Sequence, residues 1–252
     1  MCLIVFAINA HPEYKLVLAA NRDEFYERPT LAADYWSDHP QILGGRDKKA
    51  GGTWMAMHTS GRFAAVTNYR DLKNIRADAK SRGALPTDYL LTDQTSAGYL
   101  SQVREAGQAY NGFNLLVFDG KTIAHLSNYE NEINEKEEGV YGLSNALLDT
   151  PWPKVEKLKE EFRSIIKSDF RHADLLSILA DKSLAADEAL PDTGVGYDRE
   201  KMLSAICIRS ANYGTCCSTV VTITHDNQVS YTEHSYPVGL REEGTVSFNF
   251  RV

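Results

Sequence analysis

The sequence has little of what marks a membrane, secreted or nucleic-acid-binding protein. No apolar run approaches the ~18 residues needed to cross a bilayer. The apolar start of the chain follows no basic region and precedes no small-residue cleavage site, so we expect no signal peptide. The net charge of −7 at pH 7 argues against nucleic acid and anionic membranes, which need clustered Lys and Arg. The sequence therefore predicts a cytoplasmic protein without an integral membrane segment.

Cysteine and histidine are also sparse, and they form no metal-binding pattern. None of the seven histidines belongs to an HxxxH or HExxH motif, and no two cysteines have CxxC spacing. The four cysteines are Cys2, Cys207, Cys216 and Cys217. We expect reduced thiols, no metal site and no resident cofactor.

Length and composition predict one globular domain over residues 1–252. The chain has 252 residues, of which 43% are hydrophobic and 24% are charged, an ordinary balance with enough apolar material for a core. Strand patterns alternate with helical patterns, and consecutive strands are joined by hairpin turns rather than by crossover helices. This order predicts an α+β fold in which antiparallel sheets are covered by segregated helices.

Local patterns predict the individual elements. Strands are expected at 2–8, 15–20, 53–57, 62–67, 113–118, 121–125, 205–209, 218–224, 229–232 and 246–250. Helices are expected at 85–110, 151–167 and 173–180. Loops or turns are expected at 29–40, 44–52, 130–138 and 190–194.

Cys2 is the strongest candidate for a catalytic residue. If Met1 is removed, the thiol and a free α-amine belong to one residue, and an α-amine with a pKa near ~8 can take the proton of the thiol. Enzymes with an N-terminal nucleophile use this arrangement. Taken alone, a cysteine at this position is more often an inert residue of a buried strand.

Polar residues that end neighbouring strands supply the other groups that such a nucleophile needs. The first predicted hairpin brings Asp23 near Cys2, where its carboxylate would hold the α-amine. Arg22 would lower the pKa of the thiol or bind a substrate carboxylate. Amide side chains, which suit an oxyanion hole, end three apparent strands: Asn21, Asn68 and Asn145. Each of these residues, taken singly, is also typical of an ordinary turn or a surface ion pair.

Many short motifs, all in one order, resemble those of the NRDE family, also called the transport-and-Golgi-organisation family. The matching stretches are MCLIVF at 1–6, NRDEFYERPT at 21–30, GGRD at 44–47, GGTW at 51–54, GRFAAVTNYRD at 61–71, SRG at 81–83, GFNLLV at 112–117, GVYGLSNALLDTPWPKV at 139–155, LPDTGV at 190–195 and YGT at 213–215. They extend over nearly the whole chain, which makes the resemblance specific.

The resemblance implies a fold like that of the N-terminal nucleophile hydrolases, a four-layer αββα sandwich. By similarity to the cysteine amidases of that superfamily, Cys2 would be both nucleophile and base. Asn21 and Asp23 would match the polar pair that ends their second strand. Asn68 and Asn145 would match their two asparagines near the oxyanion site.

The sequence departs from these relatives at two positions. The cysteine amidases have an arginine just before the asparagine, whereas this chain has Ala20 there and Arg22 after it. The family motif YGTR ends here in Cys216, so an arginine that would bind a substrate anion is lost or relocated. Arg209, nearby in sequence, would be the compensating cation.

Two functions fit these observations. The first is an amidohydrolase that cleaves a linear C–N amide bond through Cys2. The second, suggested by the family's links to haem and acyl-CoA or lipid handling, is a carrier that binds haem or an acyl ligand without turnover. Both predict a small-molecule ligand in one cleft, with substrate contacts from four residues: Trp54, Tyr69, Arg209 and Cys216.

Overall fold

The computed structural model describes residues 2–239 and 241–252, which form thirteen β-strands and five α-helices. The strands are β1 (Cys2–Ile8), β2 (Tyr14–Phe25), β3 (Thr30–Tyr35), β4 (Ile42–Asp47), β5 (Met55–His58), β6 (Phe63–Asn68), β7 (Phe113–Phe118), β8 (Ile123–Ser127), β9 (Ile133–Lys136), β10 (Gly139–Leu143), β11 (Tyr213–Thr224), β12 (Gln228–Ser235) and β13 (Gly244–Arg251). The helices are α1 (Ala84–Leu91), α2 (Ser96–Ala106), α3 (Pro153–Ile165), α4 (His172–Leu179) and α5 (Tyr197–Leu203).

The strands form two antiparallel sheets that pack face to face. The first sheet has the order β10-β1-β2-β11-β12-β13, and the second has the order β3-β4-β5-β6-β7-β8-β9. Side chains from both inner faces form the central core. Helices α3 and α4 cover the outer face of the first sheet, and α1 and α2 cover that of the second. The structure confirms the predicted α+β class and the four-layer αββα order.

The first strand shows how the alternation of side chains directs Cys2 inward. Successive residues of a strand point to opposite faces of the sheet. The face toward the second sheet carries Cys2, Ile4, Phe6 and Ile8, and the face toward the helices carries Leu3, Val5 and Ala7. All seven side chains are buried, which explains why β1 is apolar throughout. Cys2 therefore lies at the end of a buried strand, on the face that looks into the sandwich.

Several predicted element boundaries were wrong. The helix expected at 85–110 is two helices, because the Thr95 hydroxyl accepts a hydrogen bond from the Gly98 N–H and so begins α2. The loops expected at 29–40, 44–52 and 130–138 contain the strands β3, β4 and β9. These strands are held by their pairing in the second sheet, which overrides the local preference of proline, glycine and acidic residues.

The strand expected at 205–209 was also wrong, because the segment makes only an isolated bridge, between Arg209 and Gly214, and no continuous strand pairing. Strand β2 is already paired with β1 on one side and β11 on the other. The segment is instead tied down by single contacts, such as the bond from Asn21 Nδ2 to the Ile206 carbonyl over 2.9 Å. Its apolar residues pack as irregular chain beside the first sheet.

None of the helices in the two described ranges is long and apolar enough to cross a membrane.

Two glycine-containing segments meet at the end of the second sheet. The Thr53 N–H donates to the Gly83 carbonyl over 3.0 Å. A Cβ at Gly52 would lie only 2.3 Å from that same carbonyl oxygen, so the approach requires glycine. The contact holds the 81–83 segment beside the chain that leads into β5.

We expect Gly52→Ala to lower the free energy of unfolding by ~1–3 kcal/mol, because the added methyl group would push two backbones apart. Gly244→Ala is the matched control, since a Cβ there meets nothing within 4 Å. Its effect should stay within ~0.5 kcal/mol. Denaturant titration of both variants measures the difference, and equal losses would contradict the steric explanation.

Candidate functional site

The register of the first sheet brings four polar side chains to one end of the sandwich. Strand β1 runs antiparallel to β2 with Cys2 opposite Arg22. Strand β11 continues the pairing on the other side of β2, where Thr215 lies opposite Asp23. Cys216 is the extra residue of a bulge at this point, because the register shifts between Thr215 and Cys217.

A cavity of about 440 Å³ opens at this end of the two sheets. Its lining includes five of the residues predicted from the sequence: Cys2, Arg22, Asp23, Trp54 and Asn68. The first three come from the central strands of the first sheet, and the other two come from the second sheet and the chain that leads into it. The cavity therefore lies between the sheets, where strand ends from both meet.

The Cys2 thiol is nearly closed off from solvent, with 6% of the residue exposed, and it faces this cavity. Its backbone carbonyl accepts a hydrogen bond from the Ser144 hydroxyl over 3.2 Å. Burial raises the pKa of the Cys2 thiol to about 11. The thiol is thus protonated at neutral pH, and a reaction through its sulfur needs a base.

Asp23 is a buried carboxylate at the edge of the same cavity. The Thr215 hydroxyl donates to Asp23 Oδ1 over 2.7 Å, which orients the carboxylate. Burial raises the pKa of Asp23, while the positive charge of Lys154 opposes that rise more than any other charge does. An ionised Asp23 therefore depends on a lysine that lies far away in the sequence.

Lys154 is a residue of the site that sequence reasoning missed. It is the second residue of α3, it is 3% exposed, and its Nζ has no hydrogen-bond partner among the described residues. Burial lowers the pKa of Lys154 to about 8, and Asp23 is the strongest of the charges that resist this shift. The signal in the sequence was a lysine directly after Pro153, one position before the apolar stripe that begins at Val155.

A second buried charge pair lies close to these two groups. Arg70 Nη1 donates to Glu200 Oε2 over 2.9 Å, and both side chains are almost fully buried. Glu200 Oε1 also accepts bonds from the Thr193 N–H and hydroxyl, at 2.7 and 2.6 Å. The Arg70 guanidinium lies 4.5 Å from the ring centre of Trp152. These contacts tie α5 to the end of β6, the strand that carries Asn68.

Asn68 and Asn145 come together, but only Asn68 lines the cavity. Asn145 Nδ2 donates to the Asn68 carbonyl over 2.9 Å, and the Arg70 N–H donates to the Asn145 carbonyl over 2.7 Å. Asn145 is 1% exposed, and it also accepts the Ser144 hydroxyl. Asn145 therefore holds the end of β6, the strand whose last residue, Asn68, lines the cavity.

Asn21 lies on the opposite face of the first sheet. Its Nδ2 donates to the carbonyls of Leu179 and Ile206, over 2.8 and 2.9 Å, and its Oδ1 accepts the Ser218 hydroxyl over 2.6 Å. The residue is completely buried and does not line the cavity. These three bonds connect β2 to α4, to the irregular 205–209 segment and to the neighbouring strand β11.

Tyr69 and Arg209, both predicted to contact substrate, lie outside this cavity. The Tyr69 ring stacks on that of Tyr129, with 3.9 Å between ring centres. The Arg209 guanidinium lies 4.1 Å from the ring centre of Tyr236 and lines a separate surface hollow that includes Cys207.

Cys216 lines a second cavity, of about 340 Å³, that shares a wall with the first. The shared wall consists of Arg22, Thr30, Gly45 and Trp54. The cation beside Cys216 is Arg241, whose Nη1 lies 3.2 Å from the sulfur. Burial raises the pKa of the Cys216 thiol. Arg209, which the sequence suggested as the compensating cation, lines neither of these two cavities, whereas Arg241 lines the second one.

The fold and the site define an α+β sandwich protein with a polar cavity between its sheets and a buried cysteine in the cavity wall. The chain belongs to the Transport and Golgi organisation 2 family, which it matches over residues 1–237. This confirms the family resemblance read from the motifs.

Relatives from animals match nearly the full chain. Transport and Golgi organization protein 2 homologs from Bos taurus and Homo sapiens are both 39% identical, over 257 and 258 residues, and each match covers 93% of both chains. Transport and Golgi organization protein 2 from Drosophila melanogaster is 28% identical over 261 residues, covering 93% of this chain and 92% of the relative.

Two solved structures are similar at low identity. One is a Caenorhabditis elegans ortholog of N-acylethanolamine-hydrolyzing acid amidase, with a TM-score of 0.45, 10% identity, and coverage of 87% of this chain and 92% of that chain. The other is the C2A mutant of conjugated bile acid hydrolase from Clostridium perfringens, with a TM-score of 0.43, 10% identity, and coverage of 99% and 97%.

The buried lysine predicts a pH dependence of stability. Lys154 releases its proton near pH 8 in the folded protein and near its ordinary value of 10.5 when unfolded. Between these values the unfolded state binds more protons, so this group makes the free energy of unfolding rise with pH. We expect the wild type to gain up to ~1.4 kcal/mol per pH unit relative to Lys154→Met in this window.

Chemical denaturation of both proteins at several pH values between 7 and 10 measures this gain. Lys167→Met removes an exposed lysine just beyond the same helix, and its difference from the wild type should not change with pH in the same way. A constant difference between wild type and Lys154→Met across the window would show that Lys154 keeps its ordinary proton affinity.

Proposed function

We propose that the protein is a cysteine amidohydrolase of the N-terminal nucleophile type, acting on a linear C–N amide bond. The observation that carries the proposal is that Cys2, Asp23 and Asn68 line one cavity. A nucleophile, an acid group and a neutral amide donor are the parts that acyl transfer requires. Trp54, which lines the same cavity, would contact the acyl portion of the substrate.

The raised pKa of the Cys2 thiol makes the choice of base central to this proposal. The base would be the α-amine of Cys2, exposed when Met1 is removed; Met1 itself lies outside the described residues. Cys2 Sγ attacks the amide carbonyl carbon, the thiol proton passes to the α-amine, and from there to the departing nitrogen. Water then hydrolyses the thioester, which releases the carboxylic acid and restores the thiol.

Neighbouring groups would position these atoms and stabilise the charge. The Asp23 carboxylate, oriented by Thr215 and balanced by Lys154, would hold the α-amine. The Asn68 amide would donate to the oxygen of the tetrahedral intermediate. Asn145 would act through Asn68, because its own amide is already bound to the Asn68 carbonyl.

We further propose that the protein works in the cytoplasm on a small-molecule amide. All four cysteines are free, which fits a reducing compartment. The catalytic chemistry also needs a reduced thiol at Cys2.

Reaction of Cys2 with an electrophile tests the nucleophile. Intact-mass analysis of the purified protein should show that Met1 is absent, and a cysteine-directed probe should label Cys2 at neutral pH. Cys2→Ala should abolish the labelling, whereas Cys207→Ala, which removes a thiol outside the cavity, should leave it unchanged. Active protein that retains Met1 would contradict the mechanism, because the Cys2 nitrogen would then be part of a peptide bond and could not act as the base.

The carrier hypothesis predicts different results for the same protein. Within the described part of the chain the cavity lining includes no histidine, so Cys2 is the one thiol or imidazole there that could bind a haem iron. A Soret shift on haem titration that disappears in Cys2→Ala, together with no hydrolysis of any acylated amine, would favour a carrier.

The proposed role of Asn68 as the oxyanion donor predicts that its removal lowers kcat selectively. With a substrate found by screening acylated amines, Asn68→Ala should lower kcat about 10²–10³-fold with little change in KM, because the amide acts on charge that develops in the transition state. Asn249→Ala, on the exposed strand β13, should have no effect. An unchanged kcat in Asn68→Ala would remove Asn68 from the mechanism.

A further inference from the structure

The charge around the cavity is opposite in sign to that of the protein. The whole chain has a net charge of −7. The cavity lining nevertheless contains six cationic side chains, Arg22, Arg28, Lys49, Arg76, Lys80 and Arg82, against three acidic ones, Asp23, Glu24 and Asp47. An excess of three positive charges within one concave surface creates a local potential that concentrates anions.

Arg22 is the most buried of these six cations, and one of its hydrogen-bond donors has no acceptor among the described residues. The residue is 5% exposed, and its Nη2 lies 3.5 Å from Glu24 Oε2. Its Nη1 is buried without a hydrogen-bond partner among the described residues. A buried guanidinium N–H without an acceptor is costly, and an anionic group in the adjacent cavity would supply one.

Arg82 is a second guanidinium held near the nucleophile. It is partly buried, and its one hydrogen bond among the described residues is from Nη1 to the Gly112 carbonyl over 2.9 Å. Burial lowers the pKa of Arg82, and the charges that counteract this shift are those of Glu24 and Cys2. The Arg82 guanidinium therefore lies close enough to Cys2 to interact with it electrostatically.

Three of the four outer cations, which are Arg28, Lys49, Arg76 and Lys80, form no ion pair with a carboxylate among the described residues. Arg28 is paired with Asp47, but no ion pair joins Lys49, Arg76 or Lys80 to an acidic residue within the described ranges. Arg76 donates to backbone carbonyls, including that of Tyr110 at 3.4 Å. The 76–82 segment thus forms a cationic wall of the cavity, with Lys49 contributing from another loop.

We infer that the substrate of this site is an anionic amide: an acylated amine that carries a carboxylate or phosphate group. This deepens the proposed hydrolase function and rests on it for the reaction, but not for the binding. Arg22 and Arg82 hold the anionic group next to Cys2, and the outer cations draw it into the cavity. Planar guanidinium groups suit both carboxylate and phosphate oxygens.

Binding of three matched probes to the full-length Cys2→Ala variant tests this inference without turnover. The probes are hexanoylglycine, hexanoylethanolamine and the phosphate monoester of hexanoylethanolamine, which share an acyl chain and differ in charge. We expect both anionic probes to bind at least about tenfold more tightly than the neutral one at low salt, as measured by calorimetry. The preference should shrink at high salt, because screening weakens it.

Substitutions then show which side chains cause the preference for the anionic probes. Arg82→Gln should abolish most of it, and Lys49→Gln with Lys80→Gln should reduce it without affecting the fold, because both lysines are exposed. Arg104→Gln removes the same charge from the exposed surface of α2 and should leave the preference intact. Stronger binding of the carboxylate or of the phosphate probe identifies which anion the site selects.

Equal affinity for the charged and neutral probes overturns the inference, as does a preference that survives both Arg82→Gln and the double lysine substitution. Its failure is distinguishable from failure of the proposed function. If Cys2 is labelled and neutral amides are hydrolysed as fast as anionic ones, the hydrolase stands and the inference falls. If Cys2 is never labelled but the anionic probes bind selectively, the inference stands and the hydrolase falls.

Discussion

The antiparallel pairing of β1 with β2 is the constraint on which the site depends. It puts Cys2 opposite Arg22, and a slip of one residue would turn Cys2 from the cavity to the helix layer. Such a slip is prevented because both faces of β1 are buried, so that each of its apolar side chains already has a place in a core. The stability of the two cores thus determines where the sulfur lies.

Buried charges around the cavity form a balanced set rather than isolated pairs. Lys154 and Arg70 contribute two positive charges, and Asp23 and Glu200 contribute two negative ones. Burying any one of them alone would be strongly unfavourable, since a charge loses its hydration in the interior. Together they balance the charge of a buried carboxylate near Cys2, and they link α3, α5 and the ends of β2 and β6. The same buried charges therefore support both the cavity and the contacts between these elements.

Much of this arrangement could be predicted from the sequence, and the failures have physical causes. The apolar run that begins at Cys2 and the strand-ending Asp23 and Asn68 indicated the cavity residues, because strand alternation and hairpin geometry are local properties. The role of Asn21 could not be predicted in this way, because its side chain is held by three hydrogen bonds to segments far away in the sequence. Lys154 escaped notice for the same reason: a lysine in a first helical turn looks solvent-exposed until the sheet it packs against is known.

The cavity lining has a further property that follows from its place in the chain. Every residue that lines it lies between Cys2 and Asn111, whereas several of the groups that support it, such as Asn145, Lys154 and Thr215, come from later segments. The two portions of the polypeptide thus carry separable traits. Under the proposed function, divergence in the earlier portion would change which molecules are accepted, and divergence in the later portion would change the acidity and rigidity of the site more than its selectivity.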